Sequence, residues 1–225
     1  MRFKKYLINM FIRAFLHLKN LRALFFVPLL ILNVLIPMLN YMVYKQYGVG
    51  ERLYLNILEY SLWFMPMASV WWALFALRDY LESEGNELLY VNPNANKFPD
   101  IFFLFFLSVL NIAIIFSVYT EFLPHMKYEF FRILTVCIFY FGIVYFLSFL
   151  SKSTTITLAA VVLYMLANFY YRGRNIKNFL LYFSTERITE KIFTSDYMPL
   201  LLLGILFTFV GILLNVKKVS ITRHI

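Results

Sequence analysis

Apolar residues gather into six runs, 24–44, 60–77, 101–119, 133–150, 154–171 and 198–216, each 18 to 21 residues long and free of Asp, Glu, Lys and Arg. At about 1.5 Å of rise per residue, roughly 20 such residues cross a hydrocarbon core of about 30 Å. None of the runs alternates with the period of two that marks a barrel strand. Backbone amides in lipid must be satisfied within their own segment. The pattern therefore predicts six transmembrane helices in an all-α membrane protein. Residues 1–20 carry a different pattern. Phe3, Leu7, Met10, Ala14 and Leu18 recur at helical spacing, while Lys5, Asn9, Arg13 and His17 fall on another face. That is a basic amphipathic helix suited to the membrane interface.

Composition sharpens this picture. Of 225 residues, 62% are apolar and only 15% charged, whereas soluble domains hold about 45–50% apolar and about 25% charged residues. So much apolar surface cannot hide in one soluble core. A soluble enzyme, a disordered chain and a nucleic-acid binder are all excluded. The net charge of +9 belongs instead to the segments that flank the spans. One cysteine, Cys137, rules out an intrachain disulfide framework. Six crossings put both ends on one side, which collects twelve of the Lys and Arg residues against nine on the other. The excess predicts that both termini are cytoplasmic in a multi-pass protein of a cell membrane, read as bacterial. No internal repeat or linker divides the chain, so 1–225 forms a single transmembrane domain.

Two longer segments remain between the spans. Residues 172–197 form a basic segment on the external side, compatible with lipid head groups. Residues 78–100 form a cytoplasmic loop whose first half mixes acids with Leu81, Leu88, Leu89 and Tyr90, the makings of a short surface helix broken near Gly85. Its second half, with Pro93 and Pro99, turns back toward the membrane. The stretch Glu82-Ser83-Glu84-Gly85-Asn86-Glu87-Leu88-Leu89, followed by Pro93, resembles the first cytoplasmic loop of ABC-2 type transporter permeases. Their pattern is roughly Glu-x-x-Gly-Thr-x-Glu-Leu-Leu and then a Pro. Asn86 departs from the usual hydroxyl residue, and no basic residue follows Pro93 until Lys97.

The resemblance implies a type V exporter-like architecture of one interfacial helix and six spans. It implies that Glu82, Glu84, Gly85, Asn86, Glu87, Leu88, Leu89 and Pro93 belong to a coupling loop that docks on an ATP-binding subunit. Two permease copies, alike or related, would pair with two such subunits in membrane lipid. ATP and magnesium would reside in those subunits, with no cofactor in this chain, and nucleic acid is not a partner. The cargo it implies is hydrophobic or amphipathic: an antimicrobial peptide, a drug or a lipid-linked molecule.

Physics supplies a reason for such a loop. The chain has no Gly-x-x-x-x-Gly-Lys-Ser/Thr motif and so no phosphate-binding loop of its own. Gly-x-Ser-x-Gly and His-Glu-x-x-His are missing too, which leaves no catalytic constellation. A permease without a motor must be driven through a cytoplasmic contact. Within the spans, Asn33 and Asn40 stand seven apart and lie on one helix face, and Glu59 lies just outside the second run. These three are candidates for a translocation path near the outer leaflet. The same asparagines serve equally as hydrogen-bonding groups between helices. A protein of another class, a non-transporting membrane scaffold or sensor, fits the same composition.

Overall fold

The computed structural model describes residues 2–82, 97–171 and 186–221, with side chains described over 10–82, 97–171 and 186–215. All regular structure among them is helical. Helix α1 is Arg2–Asn20. Helix α2 runs over Arg22–Tyr47, α3 over Glu51–Leu81, α4 over Phe98–Phe122, α5 over Met126–Ser151 and α6 over Thr154–Tyr170. Helix α7 begins with Glu190–Ile192, passes through a π turn at Phe193–Tyr197 and continues as Met198–Ile221. Five of these, α2 to α5 and α7, are long and apolar enough to cross a membrane. This is the architecture of a helical multi-pass membrane protein. The predicted fifth span is the shorter α6, whose 17 residues rise about 25 Å.

Helices overrun the apolar runs at both ends. The second run, 60–77, sits inside α3, a helix of 31 residues and about 46 Å. Glu59 thus lies within a helix and not before one. The fourth run likewise extends back to Met126, which brings Glu129 and Arg132 into α5. Of the loop predicted at 78–100, residues 78–81 lie in α3 and 98–100 in α4, and of the segment predicted at 172–197, residues 190–197 lie in α7.

Helices α3 and α5 form the centre. In each, 67% of the apolar window is buried, against 22% for α2 and α7, so the latter two stand at the perimeter. Helix α5 packs on α3, α4, α6 and most extensively on α7. The α5–α7 contact is close because Gly142 and Gly204 oppose each other. A Cβ added at Gly142 would stand 2.2 Å from the Gly204 carbonyl oxygen, and one at Gly204 would stand 2.7 Å from the Phe139 Cα. Small residues let helix backbones approach in lipid, where dispersion contacts and not the hydrophobic effect hold helices together.

Proline shapes α2. Pro28 has no N–H to offer the Leu24 carbonyl, and a carbonyl in lipid needs a donor from within the protein. Trp71 Nε1 supplies it at 3.0 Å, and Trp72 Nε1 donates to the Phe25 carbonyl at 3.2 Å. The ring of Trp72 stacks on Phe25 with centroids 5.3 Å apart. The adjacent tryptophans on α3 thus staple the first turns of α2. Upstream of Pro37 the helix widens into a π turn at Ile31–Leu35, the expected response to a missing donor.

Replacing Gly142 with Val is expected to separate α5 from α7 and destabilise the bundle by at least about 1–3 kcal/mol, the cost of overpacking a closed contact. Gly50→Ala, where nothing lies within 4 Å, is expected to leave the thermal midpoint in detergent nearly unchanged.

Candidate functional site

Hydrogen bonds define the two ends of the bundle. Residues 13–17, 79–82, 97–100 and 151–154 meet at one end, called here the near end. Residues 40, 51–56, 119, 129–132 and 186–188 meet at the far end.

At the near end, α1 lies against α3 and α4. Its spacing of four puts Arg13 and His17 on one side, and each meets an acid. The Arg13 guanidinium donates to both oxygens of Asp100, from Nε at 2.6 Å and from Nη2 at 2.9 Å. The Asp100 residue is 1% exposed, and a bidentate guanidinium is the strongest partner available to such a carboxylate. Tyr80 donates to the same carboxylate at 3.2 Å. The two ring nitrogens of His17 lie 3.0 Å from Asp79 and 3.0 Å from the Tyr80 hydroxyl. Lys97, also buried, places its ammonium 5.1 Å from the centre of the Tyr80 ring. Ala14 packs inward while Phe11 and Phe15 face outward. Over residues 10–20 the helix therefore has one side against the bundle and one exposed side.

Glu82 closes the other foot of the same loop. Its Oε1 accepts from the Thr154 amide at 2.6 Å, the Thr154 hydroxyl at 3.0 Å and the Ser153 hydroxyl at 3.3 Å. It thereby caps the N-terminus of α6, a helix with no acid in its own first turn. Partial burial alone pushes the Glu82 carboxyl up. The hydrogen bonds from Thr154 and Ser153 outweigh that and hold it below its ordinary value of 4.5. Arg78, one turn earlier, stands 3.7 Å away. So Glu82, read from the sequence as a partner-facing acid, is bound within the chain. The other members of the predicted coupling loop, Glu84, Gly85, Asn86, Glu87, Leu88, Leu89 and Pro93, lie outside the described residues.

The three path candidates do not share a face. Asn40 is buried, while Asn33 is exposed and donates to its own helix at the Leu29 carbonyl, 3.1 Å away. The π turn at Ile31–Leu35 lies between them and changes the helical register. Asn40 Nδ2 donates to the Tyr119 hydroxyl at 2.9 Å, and Asn56 Nδ2 donates to Asn40 Oδ1 at 2.9 Å. Glu59 sits half-buried farther along α3.

The far end also holds a buried charge pair on the first turns of α5. Glu129 and Arg132 are 1% and 0% exposed and 3.0 Å apart. Glu129 Oε1 accepts from the Tyr54 hydroxyl at 2.5 Å and the Ile188 amide at 2.9 Å, while Arg132 Nη2 donates to the Glu186 carbonyl at 2.6 Å. Arg187 pairs with Glu51 and lies over the Tyr54 ring. Residues 186–188 are thereby tied to the core. The sequence marks 129 and 132 only as charges outside an apolar run, and nothing local names their partners.

Comparison with family models, with curated proteins and with solved structures gives no match for this chain.

Two outcomes follow from the near-end geometry. Asp100→Asn is expected to cost roughly 1.5–3 kcal/mol, the range for hydrogen bonds to charged groups, and to raise proteolysis of α1. A protease time course in detergent checks this. Because the Glu82 carboxyl is held low, its contribution is complete above its ordinary value and is lost as pH falls through the lower folded value. The thermal midpoint of wild type minus that of Glu82→Ala is expected to be positive at neutral pH, by the equivalent of about 1 kcal/mol for a lost cap. It should shrink toward zero in acid.

Proposed function

We propose that the chain is the permease subunit of an ATP-driven exporter of ABC-2 type, moved by a separate ATPase that docks on the elbow between α3 and α4. One observation carries this reading. Both feet of that elbow are bonded to other helices: Glu82 to the N-terminus of α6, and Asp100 to Arg13 of α1 and Tyr80 of α3. A load applied to residues between those feet passes directly to four helices. An elbow with loose feet would absorb it. The acids Glu84 and Glu87 and the pair Leu88 and Leu89 offer the chemistry of a docking surface: charge for orientation and apolar side chains for a pocket.

In this mechanism two permeases, alike or related, face each other in the bilayer and each receives one ATP-binding subunit. The near end is cytoplasmic and both termini lie there. ATP and magnesium act in the partner, whose closure pushes the elbow. The push tilts α3 and α4 against α5 and alternates access to the far end. The sparsely buried faces of α2 and α7 leave apolar surface for lipid and for the second permease. A cargo that is itself hydrophobic or amphipathic suits the apolar exposed surface of α2 and α7.

The test is purification of the chain with its ATP-binding subunit and assay of ATPase activity in proteoliposomes. Glu84→Arg combined with Glu87→Arg is expected to cut the stimulated ATPase rate at least about tenfold through like-charge repulsion at the dock. Bundle stability should be unchanged. Unaltered assembly and turnover would refute docking at this elbow. Failure of the wild-type chain to retain any nucleotide-binding subunit would favour a scaffold.

A further inference from the structure

We infer that the far end of the bundle carries a site for the ester carbonyl and upper acyl chain of a glycerolipid, with the Tyr119 hydroxyl as its hydrogen-bond donor. The site is a side-opening cavity of about 290 Å³ between α2, α3 and α4. Its mouth is formed by Tyr41, Val118 and Phe122, all on the exposed perimeter. At its floor lie Asn40 and Tyr119, 4% and 8% exposed.

The direction of the floor's hydrogen bonds decides what the site accepts. Asn56 donates to Asn40 Oδ1, which turns the Asn40 amide so that its Nδ2 donates to the Tyr119 oxygen. Tyr119 is therefore the acceptor in that bond, and its own proton is left to donate into the cavity. A phenol carries one donor, and burying it without an acceptor costs about 1–3 kcal/mol. The missing acceptor is an oxygen without a proton of its own, set against apolar walls.

Depth selects the ester. Helix α4 has 25 residues and is about 37 Å long, so each end overhangs a core of about 30 Å by roughly 4 Å. Tyr119 stands three residues from the end at Phe122, about 4.5 Å along the axis. That is the boundary where acyl esters begin. The cavity opens sideways toward lipid and its volume is at the lower end of the range for ligand sites. It admits a chain segment with its carbonyl, not a whole solute. The inference stands apart from the proposed coupling to an ATPase.

The experiment uses the full chain in vesicles of diacyl phosphatidylcholine doped with a lipid carrying a diazirine beside the sn-2 ester. A parallel preparation carries the dialkyl ether analogue with the same diazirine. Photocrosslinks are mapped to α2 and α4. The ester probe is expected to label about fivefold more than the ether probe, the ratio that one net hydrogen bond supports. In Tyr119→Phe that preference should fall to about one. Val118→Trp, placed at the exposed mouth, should reduce labelling by both probes. Equal labelling of the wild type by ester and ether would overturn the inference whether or not Tyr119→Phe folds. So would a preference that survives Tyr119→Phe, or labelling that ignores Val118→Trp.

Discussion

A helix that begins at the edge of a bilayer exposes four amide N–H groups and a positive dipole end where water is scarce. In this protein an acid stands near most of these ends and answers the dipole, and at α6 it also accepts directly from an amide. Helices α3, α4, α5 and α7 carry Glu51, Asp100, Glu129 and Glu190 in their first turns. Helix α6 has none of its own and takes Glu82 from the end of α3. The two buried ones, Asp100 and Glu129, need donors in turn, because a buried carboxylate without them is costly. Asp100 draws in Arg13, which fixes α1 to the bundle. Glu129 draws in Arg132, Tyr54 and the Ile188 amide, which fixes the segment before α7. The arrangement of non-spanning parts around the spans follows from satisfying these few acids.

This pattern makes the two ends mechanically distinct from the middle. Between them, α5 and α7 touch through opposed glycines, and aromatic contacts such as Phe105 on Phe141, with centroids 4.5 Å apart, fill the rest. Those contacts are apolar and shift by small steps. The polar clamps at the ends have one good geometry each. A force at the near end is thus expected to move helices as units and not to bend them, which is the behaviour that coupling to an external motor requires.

Much of the helical layout is legible in the sequence, because an apolar run of 18 or more residues admits few other structures. The helical α1 is legible as well, with Arg13 and His17 on a shared side, but that side turns to the bundle together with Ala14, and Ile12, Phe15 and Leu16 are exposed positions. What the residues conceal is tertiary. Glu82 caps a helix that starts 72 positions later, and Asp100 lies 87 positions from Arg13. No local period marks either pairing. A charge ends an apolar run but not a helix, so Glu59, Glu129 and Arg132 look like loop residues while lying inside α3 and α5. The expected common face of Asn33 and Asn40 assumes a regular helix, and the π turn ahead of Pro37 removes that assumption. Nothing in the sequence singles out Tyr119, whose hydroxyl gains a direction only from Asn40 and Asn56 in the folded bundle.

The proposed coupling requires that the elbow between α3 and α4 face the compartment of the ATP-binding subunit. Ser83→Cys, made in a Cys137→Ala background and expressed in cells, places a single thiol on that elbow. A membrane-impermeant maleimide is expected to label it only in inverted vesicles, with labelling suppressed when the ATP-binding subunit is bound. Labelling from outside intact cells would contradict the account.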